Sequence, residues 1–123
     1  GRLDSYFSDL LTNGREVTIF IKTWDSWGYD LEEEFDGEFL QDIIDNWMAD
    51  NTVSGRYSLT DATETFMRFE QVRIPLYDER GRSIDSRKFT NNLRKYLLKE
   101  PFLIESKLMT RGLGEAILVL GEK

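Results

Sequence analysis

Apolar positions recur along the chain with two periods, and the switches between them mark its elements. Leu3, Tyr6, Phe7, Leu10 and Leu11 follow the i, i+3, i+4, i+7, i+8 spacing of a helix with one buried stripe. Asn13-Gly14 ends it with residues that tolerate a left-handed backbone. The period then falls to two. Val17, Ile19 and Ile21 alternate with Thr18, Phe20, Lys22 and Trp24, which predicts a strand partly apolar on both faces. A second helix is predicted over 38–49, with Phe39, Leu40, Ile43, Ile44, Trp47 and Met48 inward. Strands are predicted at 56–59 and 65–77. In the longer one neither face is apolar throughout, so a bulge is expected near Glu70. Asp78-Glu79-Arg80-Gly81 reads as a hairpin turn. Asp85 or Ser86 can cap a third helix over 87–98 that buries Phe89, Leu93, Tyr96 and Leu97, and Pro101 ends it. The last predicted element is a hairpin of 102–109 and 115–120, whose second strand is apolar enough to be buried on both faces. This order predicts one α+β domain over residues 1–123, with a mostly antiparallel sheet of about five strands layered against three helices.

Composition narrows the chemistry more than the fold. The 123 residues suit one domain, and 40% hydrophobic with 13% aromatic residues suits a packed core rather than disorder. With no Cys, disulfides, thiolate metal sites and Cys nucleophiles are excluded. With no His, the commonest general base and zinc ligand is missing, and a Ser-His-acid triad is impossible. No run approaches the ~20 apolar residues of a membrane span, and no secretory leader is read. The expectation is a cytoplasmic, non-enzymatic protein without a cofactor.

Charge changes the picture most. The net charge is −7, yet ten acids and no Lys or Arg fall within 25–50: Asp25, Asp30, Glu32, Glu33, Glu34, Asp36, Glu38, Asp42, Asp45 and Asp50. The rest of the chain is mildly basic. Such asymmetry points to an interaction surface. Asp45 and Asp50 sit near the negative end of the second helix, which suggests that they are retained for something other than helix stability. On one helix face, Glu38, Asp42 and Asp45 would repeat charge every ~5–6 Å, close to the phosphate spacing of a nucleic-acid strand. Trp24, Trp27 and Tyr29 are interleaved with these acids, and Trp27 and Tyr29 are candidate aromatic anchors. The expected partner is a basic nucleic-acid-binding protein or nuclease complex. In small size, strong acidity and lack of catalytic residue types, the chain resembles in composition the DNA-mimic inhibitors that phages and plasmids use against restriction or CRISPR nucleases. That resemblance implies occupation of a partner's basic channel.

Three other constellations bear on chemistry. Arg80, Arg82, Arg87, Lys88, Arg94, Lys95 and Lys99 make the third helix and the preceding turn basic, an alternative surface for nucleic acid that the net charge opposes. Glu105 and Lys107 on one strand face, with Asp85 upstream, are the residue types of a metal-dependent nuclease, but the pattern is short and common. Glu32, Glu34, Asp36 and Gly37 match EF-hand loop positions 1, 3, 5 and 6, yet Ile43 stands where the bidentate Glu is required.

Overall fold

The computed structural model describes residues 14–122, so the helix expected over 3–11 lies outside the described residues. The elements are β1 (Arg15–Thr23), β2 (Glu34–Phe35), β3 (Glu38–Phe39), α1 (Leu40–Asn51), β4 (Ser58–Ala62), β5 (Phe66–Ile74), α2 (Ser86–Leu98), β6 (Ser106–Arg111) and β7 (Glu115–Leu120). A short 3-10 turn, Val53–Gly55, follows α1. The fold is α+β, but two features differ from expectation. Two α-helices, not three, are present among the described residues. The five-stranded sheet, ordered β4-β5-β1-β7-β6, is mixed rather than mostly antiparallel.

The mixed character comes from the middle of the sheet. β1 pairs antiparallel with β5 but parallel with β7, in register from Thr18 opposite Glu115 to Thr23 opposite Leu120. Both strands read as apolar on both faces, as central strands do. Periodicity reports which faces are buried, not which strand becomes a neighbour, so this pairing was not legible in the sequence. A two-stranded ribbon, β2 with β3, stands apart from the main sheet.

The bulge in β5 lies where expected. Val17 faces Val72 and Ile19 faces Phe69, so two residues of β5, Glu70 and Gln71, stand opposite Thr18. Gln71 takes a positive φ of 52°. The extra residue flips the alternation: Met67 and Phe69 are buried before it, Val72 and Ile74 after it.

One face of the sheet carries both helices. Val17, Ile19 and Ile21 join Met67, Phe69, Leu118 and Leu120 against Leu40, Ile43, Ile44, Trp47 and Met48 of α1 and Phe89, Leu93 and Leu97 of α2. Trp47 joins the two helices, its ring 5.1 Å from that of Phe89. Asp85 proves to be the cap of α2, its Oδ1 accepting from the Lys88 N–H at 2.8 Å. β5 ends at Ile74, before Pro75.

Candidate functional site

The acidic window folds into a loop, the β2–β3 hairpin and the start of α1. Asp36-Gly37 makes the hairpin turn, both residues having positive φ (54° and 83°), as a two-residue primed turn requires. Main-chain bonds fix this unit to the domain. The Leu31 N–H donates to the Glu64 carbonyl at 2.7 Å. The first N–H groups of α1 donate to the loop: Leu40 to the Glu33 carbonyl and Gln41 to the Leu31 carbonyl, each at 3.0 Å. The loop therefore caps the helix, in place of a side chain on Phe39.

The aromatic residues divide by role. Trp27 is half-buried and stacks parallel to Phe35, with 6.5 Å between ring centres and 5° between planes. It also lies tightly over Gly121, so it pins the loop to the end of β7. Tyr29 meets Trp27 at 5.5 Å and remains 54% exposed. Of the two candidate anchors, Tyr29 is the one presented to solvent. Trp24 is also exposed.

The carboxylates are displayed unevenly. Glu32, Glu33, Glu34, Asp36, Glu38 and Asp42 are exposed. Asp30 is half-buried and its Oδ1 accepts from the Glu32 N–H at 2.9 Å. The expected row of Glu38, Asp42 and Asp45 along one helix does not form. Glu38 belongs to β3 because α1 begins only at Leu40. Asp45 is half-buried and accepts from the Tyr57 hydroxyl at 2.5 Å. Burial of Tyr57, and then this bond, push the phenol pKa above its ordinary value and keep the hydroxyl a donor. Asp45 thus stands in the middle of α1 rather than near its C-terminal end, and this contact accounts for its place there. Among the described residues none of the ten window acids forms an ion pair with a cation.

Two members of this surface were missed in the sequence. Phe39 reads as part of the apolar face of the second helix but is the residue before it, and it is 49% exposed. Glu34 pairs with Phe39 across the hairpin, while Phe35 pairs with Glu38, so Glu34 and Phe39 share one face of the ribbon. Glu32, Phe39, Gln41 and Asp42 line an open groove of about 400 Å³ there. Exposed Glu64 adds a further charge, since its turn bonds to Leu31 and the Thr63 carbonyl accepts from Gln41 Nε2 at 3.1 Å. No sequence signal joins Glu64 to the window. The hairpin that exposes Phe39 was not expected either, although the Asp36-Gly37 dipeptide is a signal that could have found it.

The basic alternative is assembled but partly neutralised. Arg80, Arg82, Arg87 and Lys95 are exposed. Arg87, Lys88 and Arg94 share a groove of about 440 Å³ with Asp85 and Asn91, and Arg94 Nε donates to Asn91 Oδ1 at 2.8 Å. Lys88 Nζ bonds Asp78 at 2.6 Å. That donor, followed by the N–H groups of Arg82 and Arg80, lowers the Asp78 pKa from its ordinary 3.8 to about 2. A depressed folded-state pKa stabilises the fold in full above the unfolded value and is lost as pH falls through the folded one. This contribution is therefore complete above about pH 4 and gone near pH 2. Asp78→Asn is expected to flatten the fall of melting temperature across that interval. Thermal melts followed by circular dichroism provide the check, and curves parallel to the parent's would refute it.

The nuclease constellation is not brought together. Asp85 caps α2, whereas Glu105 borders Arg94 and Leu98, roughly 14 Å further along that helix at 1.5 Å per residue. Lys107 pairs with Glu122 at 3.7 Å. Among the described residues there is no group of three or more carboxylates placed to hold a metal ion. None of their helices is long and apolar enough to cross a membrane.

The chain has no significant match among curated proteins or among solved structures. A family profile described as a domain of unknown function, DUF6175, matches residues 15–121 and so spans every element above. By that match the chain belongs to the DUF6175 family.

Proposed function

We propose that this chain is a non-enzymatic binding protein. Its acidic loop, hairpin and first turn of α1 dock onto the cationic nucleic-acid-binding surface of a protein partner, such as a nuclease complex, and block it in the manner of a DNA mimic. The observation that supports this most is the set of exposed acids from Glu32 to Asp42, held in a defined hairpin and unpaired by any cation among the described residues. Charges left in water cost little to display and act at range on a basic partner. Exposed Tyr29 and Phe39 beside them supply the apolar contact that makes such an encounter last. A cytoplasmic location belongs to the same proposal, supported by the absence of Cys.

The test is competition with labelled DNA for purified nuclease complexes across a salt series. The chain is expected to displace DNA, and to do so less well as salt rises. The combined substitutions Glu32→Lys, Glu34→Lys and Asp42→Lys should weaken it by about a hundredfold, with the fold kept. Undiminished competition by that variant overturns the proposal. A second reading, an accessory protein that binds nucleic acid through Arg80, Arg82, Arg87, Lys88, Arg94 and Lys95, rests on the α2 groove. It requires a direct gel shift at low salt that disappears when Arg87 and Arg94 are neutralised.

A further inference from the structure

A cleft runs beside the C-terminal half of α2, where the helix meets the start of β6. Two adjoining hollows make it up. One, of about 410 Å³, is walled by Trp27, Leu98 and Leu103, with Glu105 among them. The other, of about 230 Å³, lies between Arg94 and Ser106. Leu98 and Glu105 line both. Space of this size, with apolar walls and a few convergent polar groups, is the usual form of a small-molecule site.

The polar end holds a cation, an anion and a hydroxyl. Arg94 is half-buried, and Asn91 Oδ1 accepts from its Nε at 2.8 Å, which fixes the plane of the guanidinium. Its two terminal nitrogens have no protein partner among the described residues. Such a fork matches a carboxylate with two parallel bonds. Ser106 lies opposite buried Leu120 and so on the helix side of β6. Its Oγ is buried without a hydrogen-bond partner, a costly state that a polar group of a ligand would end. Glu105 supplies the anion. A carboxylate accepts up to about four hydrogen bonds, so an ammonium can join the partners it already has.

The apolar end is displayed at a cost to the backbone. Leu103 has φ +54°, a left-handed conformation that disfavours a side chain, and it is 63% exposed. Its neighbour Ile104 fills the core instead. Leu98, on the same hollow, is 41% exposed. A strained leucine turned to solvent adds little to the fold, and an apolar group held against it gives it a purpose.

We propose that this cleft binds a free α-amino acid with a large apolar side chain. Arg94 and Ser106 Oγ take the carboxylate, Glu105 takes the ammonium, and Leu98, Leu103 and Trp27 hold the side chain. A ligand with a carboxylate alone would be repelled by Glu105, and one with an amine alone by Arg94, so the pair selects a molecule that carries both charges.

Isothermal titration calorimetry of the full chain with L-leucine and L-phenylalanine tests this. The expected result is one-to-one binding of at least one of them, with a dissociation constant below about 1 mM. Glycine, leucinamide and N-acetyl-leucine lack in turn the side chain, the carboxylate and the ammonium, and each should bind about tenfold more weakly or worse. Arg94→Gln should weaken binding by a similar factor. Ser106→Ala should weaken it too, yet leave the melting temperature of the ligand-free chain unchanged, because the hydroxyl has no bond to lose. Leu103→Gly should weaken it without lowering that temperature, since glycine relieves the left-handed backbone. A purely structural role for either residue would give the reverse. No heat of binding with either amino acid up to about 10 mM overturns the proposal. So does binding that none of the three substitutions weakens, or binding of leucinamide and N-acetyl-leucine as tight as that of leucine.

Discussion

Gly121→Ala is expected to destabilise the protein by about 2–5 kcal/mol and to loosen the acidic loop from the domain. Two costs combine. Gly121 has φ +86°, a conformation in which a Cβ costs roughly 1–2 kcal/mol. The new Cβ would also fall within the space of Trp27 Cβ, Cγ and Cδ1, atoms at the root of the side chain that cannot swing aside. Trp27 must then leave the end of β7 and take its stacking with Phe35 along. Thermal melting should fall by roughly 10 °C or more. If folded variant remains, its competition with DNA should weaken although no carboxylate has changed. A melting temperature within a degree or two of the parent's would show that Trp27 does not pin the loop.

Phe69→Ala is expected to cost about 3–5 kcal/mol, a large part of the roughly 5–15 kcal/mol by which a domain of this size is stable. Phe69 is fully buried on β5 beside the bulge, and its ring lies 5.8 Å from that of Tyr57. Its removal leaves a cavity under Tyr57, whose hydroxyl holds Asp45 on α1. The loss therefore reaches the helix that begins at the acidic groove. Urea unfolding at fixed pH measures it, and a change below about 1 kcal/mol would mean that the site collapses without strain.

Local chemistry was legible in the sequence, and long-range partnership was not. The break in alternation near Glu70 foretold the β5 bulge, and Asp85 foretold the α2 cap, because both are written within a few neighbouring residues. The parallel pairing of β1 with β7 joins residues far apart in sequence, and no period encodes it. The site shows the same division. Exposure of Glu32, Glu34 and Asp36 followed from their density in a Gly-bearing loop, and that of Asp42 from its place on the polar face of the second helix. Asp45 became a partner of Tyr57 and Glu64 a neighbour of Leu31 only through tertiary contact. Phe39 was assigned inward because helical spacing was extended two residues too far, across a hairpin whose strands are too short to show a period.

The β1–β7 ladder also sets the order of events during synthesis. β1 is made before every other described strand, yet one of its two flanks stays open until β7 has left the ribosome. Until then the nascent chain holds an apolar strand with one edge open, and its native state becomes reachable only once nearly the whole family unit is outside. Folding of this domain is thus timed by its last strand, a stage at which a chaperone that shields β1 has the most to do.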